Sequence, residues 1–218
     1  MTGQFHYEKD SDNIVTVTMD MSGPVNAMND EYIELMSATV ERLEKERDDI
    51  AGVVLTSAKK TFFAGGDIKN MLKAEPGKDE EGLFLMCEEI KGMLAKLEKL
   101  GKPVVAAING AALGGGYEIC LACHHRVALN SSAVQLGLPE VSLGLLPGGG
   151  GIVRLVSKLG VEKAIMPLLE GTRFNVAKAQ AAGLIEEVAD TPEEMMAKAK
   201  AWIKANPEAN NPWPEKGF

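Results

Sequence analysis

Apolar residues recur along the chain with two alternating periods. Ile14-Val-Thr-Val-Thr-Met19 is β-branched and bounded by turn-forming residues, which predicts a strand. Gly52-Val-Val-Leu-Thr-Ser57 and Lys102-Pro-Val-Val-Ala-Ala-Ile108 are almost wholly apolar, the pattern of strands covered on both faces. Between them the period changes. Ile33, Met36, Val40 and Leu43 form a helical stripe, with Asp30 and Glu31 in the first turn, where carboxylates suit the helix dipole. Leu83, Met86, Ile90, Leu94 and Leu97 form a second stripe, after the polar link 74–82.

Turn signals place the remaining elements. Asn109-Gly110 closes the strand at 102–108, and the polar turn Asn130-Ser-Ser divides Arg126–Leu129 from Ala133–Leu136. A glycine run, Gly148–Gly151, leads into a helix over 152–159. Asn175 caps a short helix that Gly183 ends, and Leu184, Ile185 and Val188 make a last extended piece. Thr191-Pro-Glu-Glu194 is a capping box with proline at the first helical position, opening a helix through Lys204. Short strand and helix units alternate throughout, so the fold class is α/β. Residues 1–205 read as one domain, and 206–218 as a Pro-rich tail or linker.

Composition narrows the partners. The 218 residues carry a net charge of −8, which argues against nucleic acid, since phosphate binding needs a basic surface field. No apolar run approaches the ~20 residues of a membrane span. The N-terminus shows no secretion or transit pattern, and three cysteines do not make a disulfide framework. A cytoplasmic location with reduced thiols is expected.

The candidate chemistry clusters in three places. Cys120-Leu-Ala-Cys123-His124 matches the text of a haem attachment site, yet its cysteines lie three apart in an apolar run. That spacing puts both on one helix face, where cysteine packs as a small hydrophobe. His124 and His125 read as a basic helix C-cap. The glycines are more informative. Gly114-Gly-Gly116 and Gly65-Gly66 each follow an apolar strand and open a helix, so each can turn a backbone N–H toward one oxygen. Glu118 and Glu140 lie in apolar surroundings, where desolvation raises a carboxyl pKa toward neutrality. Each carboxyl also has a plain structural reading, as a buried hydrogen-bonded acid.

Ala64-Gly-Gly-Asp67-Ile, Ile108-Asn-Gly-Ala-Ala-Leu-Gly-Gly-Gly-Tyr-Glu118 and Leu138-Pro-Glu140-Val…Gly144-Leu-Leu-Pro-Gly148 together resemble the crotonase (enoyl-CoA hydratase/isomerase) superfamily. Within it the chain looks most like the hydratase domain of multifunctional fatty-acid oxidation enzymes. The resemblance runs from about residue 5 to residue 205 and implies a spiral of repeated ββα units, with the C-terminal helical part shortened. It implies syn hydration of a trans-2-enoyl-CoA to the 3(S)-hydroxyacyl-CoA, with Glu140 protonating Cα and Glu118 activating water. Gly66 and Gly115 would supply the oxyanion N–H groups, and Val25, Ala27, Ala64 and Ile68 would line the coenzyme A. No metal and no cofactor beyond the substrate's own coenzyme A is implied. The implied assembly is a homo-oligomer, trimer or hexamer, or part of a multifunctional β-oxidation enzyme. Two alternatives stay open: a Δ3-Δ2-enoyl-CoA isomerase, and a CoA-binding domain with little activity.

Overall fold

The computed structural model describes residues 3–68, 73, 75 and 77–211. Residues 212–218 of the expected tail, residues 69–72, and positions 74 and 76 of the polar link lie outside the described residues. The chain order is β1 (Gln4–Lys9), β2 (Ile14–Asp20), α1 (Asp30–Lys45), β3 (Gly52–Ser57), α2 (Glu80–Glu98), β4 (Val104–Ile108), β5 (Ala112–Leu113) and α3 (Gly115–Ala122). There follow β6 (His125–Leu129), β7 (Gln135–Gly137), a 3-10 turn (Glu140–Leu143), α4 (Gly151–Leu159), α5 (Val161–Glu170), β8 (Phe174–Asn175), α6 (Val176–Ala181), β9 (Glu187–Ala189) and α7 (Pro192–Ala205).

Six strands form one sheet in the order β1-β2-β3-β4-β6-β9, parallel except for the β1–β2 pair. A second sheet holds β5, β7 and β8. Two isolated bridges, Met28↔Gly66 and Phe63↔Ala112, extend the pairing near that second sheet. Successive turns of the chain therefore repeat a plan: a strand in the large sheet, an extended piece beside the small one, then a helix.

The near-continuous apolar strands follow from two-sided burial. Val53, Leu55, Val104, Ala106 and Ile108 join the core beneath α1, α2 and α3. Their alternates Val54, Val105 and Ala107 join a second core with Met195, Ala199 and Ile203 of α7. Each such valine or leucine contributes about 1.5–3 kcal/mol on burial. Helix α7 packs so closely that a Cβ on Gly52 would stand 2.5 Å from Ile203 Cγ2.

The caps read from sequence at Asn175 and Thr191 are present, and Asn29 adds one at α1. Asn29 Oδ1 accepts from Tyr32 N, Asn175 Oδ1 from Lys178 N, and Thr191 Oγ1 from Glu194 N. One cap differs from expectation. His125 belongs to β6 and His124 binds Val104 N and Glu98 O, so neither caps α3. Arg126 does, donating from Nη1 to the carbonyls of Cys120 and Cys123. A five-donor guanidinium can fold back on several carbonyls at once, which an imidazole cannot. Cys120 and Cys123 are buried, each thiol turned to a carbonyl of its own helix. Among the described residues no helix is long and apolar enough to cross a membrane.

Candidate active site

Two glycine turns meet at the N-terminal end of α3. Gly65 takes φ 92° and Gly114 φ 55°, both in the left-handed region that favours glycine. The turns touch, since a Cβ on Gly114 would lie 3.7 Å from Gly65 Cα. Met28 joins them. Its backbone bridges Gly66, and its side chain lies over Gly115, where an added Cβ would meet Sδ at 2.4 Å. Gly116 must also be glycine, because a Cβ there would stand 2.4 Å from the Phe63 carbonyl oxygen. Neither Gly66 N nor Gly115 N donates to a backbone or side-chain acceptor among the described residues.

Asn26 sets the height of the first turn. Fully buried, it accepts from Met21 N and donates to Met19 O, Ser57 Oγ and Phe62 O. Its own carbonyl accepts from Ala64 N at 2.8 Å. In the sequence its only signal is a lone asparagine after a Gly-Pro turn. Through Asn26 the chain at Val25–Ala27 runs beside Ala64. Of the four expected coenzyme A contacts, Val25, Ala64 and Ile68 are exposed and Ala27 is half-buried.

The two carboxyls reach the same place from different elements. Glu118, in the first turn of α3, is 2% exposed, and its Oε1 accepts from both Gly149 N and Gly151 N at 2.8 Å. Glu140 opens the 3-10 turn, with Oε1 2.8 Å from where a Cβ on Gly114 would be. Its Oε2 is buried and has no hydrogen-bond partner among the described residues. Burial pushes the Glu118 pKa upward, opposed by the two glycine N–H groups and by the positive charge of Arg154. Burial, with a smaller contribution from the charge of Glu118, raises Glu140 to about 7. Two neighbouring carboxyls thus occupy unlike environments, the arrangement that separates a base from an acid.

Gly66, Gly115, Glu118 and Glu140 are therefore brought together. The glycine run at 148–151, read from sequence only as a lead into a helix, proves to be the anchor of Glu118. An open cavity between α1 and α2, lined by Ile33, Leu83 and Met86, includes none of these four residues. Convergent donors and acids, rather than cavity size, mark the site. Among the described residues no group of three or more His, Cys, Asp or Glu side chains could hold a metal ion.

Comparison with known proteins gives concordant results. The family described as enoyl-CoA hydratase/isomerase matches residues 9–210. The chain is 38% identical to a fatty acid oxidation complex subunit alpha of Idiomarina loihiensis, over 98% of its own length and 30% of the relative's. The subunit of the same name from Shewanella amazonensis is also 38% identical, over 90% of this chain and 27% of that relative. The chain thus spans less than a third of these curated relatives. Among solved structures, the enoyl-CoA hydratase of Bacillus anthracis superposes with a TM-score of 0.82 at 30% identity, covering 93% of this chain and 76% of that one.

Proposed function

The chain belongs to the enoyl-CoA hydratase/isomerase family, and on that premise we propose that it hydrates trans-2-enoyl-CoA thioesters to 3(S)-hydroxyacyl-CoA. The supporting observation is the pairing of Glu118, anchored by two N–H groups, with Glu140, raised to about 7, beside two glycine turns. In this reading the thioester oxygen accepts from Gly66 N and Gly115 N, whose hydrogen bonds strengthen as negative charge develops on it. Each such donor is worth on the order of 3 kcal/mol. Glu118 as carboxylate takes a proton from water while the water oxygen bonds to Cβ. Glu140, whose pKa of about 7 keeps a large protonated fraction at neutral pH, delivers its proton to Cα from that form. One turnover leaves the proton on Glu118 and the charge on Glu140, and exchange with solvent resets the pair.

The coenzyme A would lie along Val25, Ala27, Ala64 and Ile68, and no further cofactor takes part. The same reading includes a cytoplasmic location and assembly, either as a homo-oligomer or within a multifunctional β-oxidation enzyme. An exposed apolar face on α4 and α5, with Val153, Val161, Ile165, Met166 and Leu169, is consistent with such contacts.

The test is the loss of crotonyl-CoA absorbance with purified protein. Hydration by the wild type, reduced by orders of magnitude in both Glu118→Gln and Glu140→Gln, supports the proposal. Conversion of a 3-enoyl-CoA without hydration replaces it with the isomerase reading. Binding of CoA thioesters without either reaction leaves only a binding domain.

A further inference from the structure

Behind the site lies a buried ion pair that the proposed chemistry does not use. Arg154 on α4 and Glu98 at the end of α2 are 7% and 6% exposed. Arg154 donates to Glu98 Oε2 from Nε at 3.2 Å and from Nη2 at 3.1 Å, while Nη1 donates to the carbonyl of Gly149 at 2.9 Å. Asn211, itself buried, donates to the other oxygen of Glu98.

Three consecutive peptide groups connect this pair to Glu118. The peptides ending at Gly149 N and Gly151 N both donate to Glu118 Oε1. The peptide between them turns its carbonyl, that of Gly149, the opposite way, into the Arg154 guanidinium. Gly150 takes φ 93°, the left-handed conformation this reversal uses. Because each peptide is planar, holding the middle one restricts the orientation of its neighbours.

We propose that Arg154, held by Glu98, is a positioning residue that fixes the Gly149–Gly151 turn and through it the carboxylate of Glu118; this rests on the hydratase reading above. The planar fork matters. It reaches the Glu98 carboxylate and the Gly149 carbonyl together, which a single ammonium does not reproduce. Stability alone is a weak reason for such a pair, since a buried ion pair is often no more stabilising than apolar residues of like volume. The Arg154 charge also favours ionised Glu118, in the direction a base requires. The other titratable groups that interact with Glu118 are Glu140 from the 3-10 turn, Cys87 from α2 and Tyr32 from α1.

The test uses Arg154→Lys and the double variant Glu98→Gln/Arg154→Met, which leaves no unpaired buried charge. The Glu118 carboxyl is followed by carbon NMR on glutamate-labelled protein, assigned with Glu118→Gln, alongside crotonyl-CoA kinetics and thermal melts. In the double variant the Glu118 titration moves to higher pH, and the acid limb of kcat/KM moves with it. Its kcat falls on the order of 10²-fold, the scale of a small misplacement, with KM little changed. Arg154→Lys keeps the titration close to wild type, because the charge stays, yet still lowers kcat. An unmoved titration and an unchanged kcat in a double variant that melts like the wild type overturn the proposal. A wild type inert toward crotonyl-CoA sinks the hydratase reading instead, and the NMR titration then decides the positioning role by itself.

Discussion

Glu118 and Glu140 are the same residue type, a short distance apart, in opposite kinds of seat. Glu118 projects from a regular helix into a turn made for it, with two N–H groups on one oxygen and 2% of its surface exposed. Glu140 starts a single 3-10 turn, is half-buried, and keeps one buried oxygen without a partner among the described residues. Around it Val141, Leu143 and Leu145 are all exposed. Desolvation raises the pKa of both carboxyls; in the first seat two directed N–H groups and the Arg154 charge oppose it in part, while the second has little to offset it. That difference, rather than residue type, separates the proposed base from the proposed acid.

The largest expected effect removes either carboxyl. Glu118→Gln and Glu140→Gln each lower crotonyl-CoA hydration by about 10²–10⁴-fold, as for loss of a general acid or base; a variant within tenfold of wild type would contradict the division of roles. Next comes making the first seat resemble the second. A Cβ on Gly149 would lie 2.8 Å from Glu118 Oε2, so Gly149→Ala displaces the carboxylate and lowers kcat on the order of 10²-fold, with thermal melting showing the fold retained.

A smaller effect appears in stability. Glu140 has a folded pKa of about 7, above the ordinary carboxyl value. Its contribution to stability is full below that ordinary value and is lost as pH rises through about 7. Glu140→Gln therefore matches wild type in relative terms at acid pH and gains on it by about 1–2 kcal/mol at pH 8, allowing for solvent screening of a half-buried group. Denaturant melts at both pH values would reveal the trend, and a constant difference would argue against the raised pKa. The smallest effect is at Leu146, 77% exposed and in neither seat. Leu146→Ser should change stability by no more than about 0.5 kcal/mol and leave hydration unchanged.

Much of the fold was legible because its signals are local. The β-branched and apolar runs gave β2, β3 and β4, and the helical stripes gave α1 and α2. Asn175 and Thr191 cap the helices they precede, since a cap bonds only two or three residues ahead. Besides the two-residue strands β5 and β8 and the 3-10 turn at Glu140–Leu143, two longer elements leave little trace in the sequence. β1 is an edge strand whose Phe5 and Tyr7 alternate with polar residues, a faint signal over six positions. α5 contains Pro167, and Val161, Ile165, Met166 and Leu169 are exposed, so its apolar pattern does not report the core. His124 and His125 were misread because their proximity to the helix end in sequence said nothing of which side chain folds back on it.

The sequence by itself determined the period of the central strands and of α1 and α2, the glycine runs that open helices, and the three motif blocks whose order places the chain in its family. Tertiary structure decided what surrounds each acid. Gly149 and Gly151 lie 31 and 33 residues beyond the carboxylate they hold, and Glu98 lies 56 residues from the arginine it orients. Periodicity encodes which face of an element avoids water, a property of neighbours in the chain. A carboxyl's pKa is set by dipoles, charges and excluded water within a few ångströms in space, and in this protein those come from segments that only folding brings together.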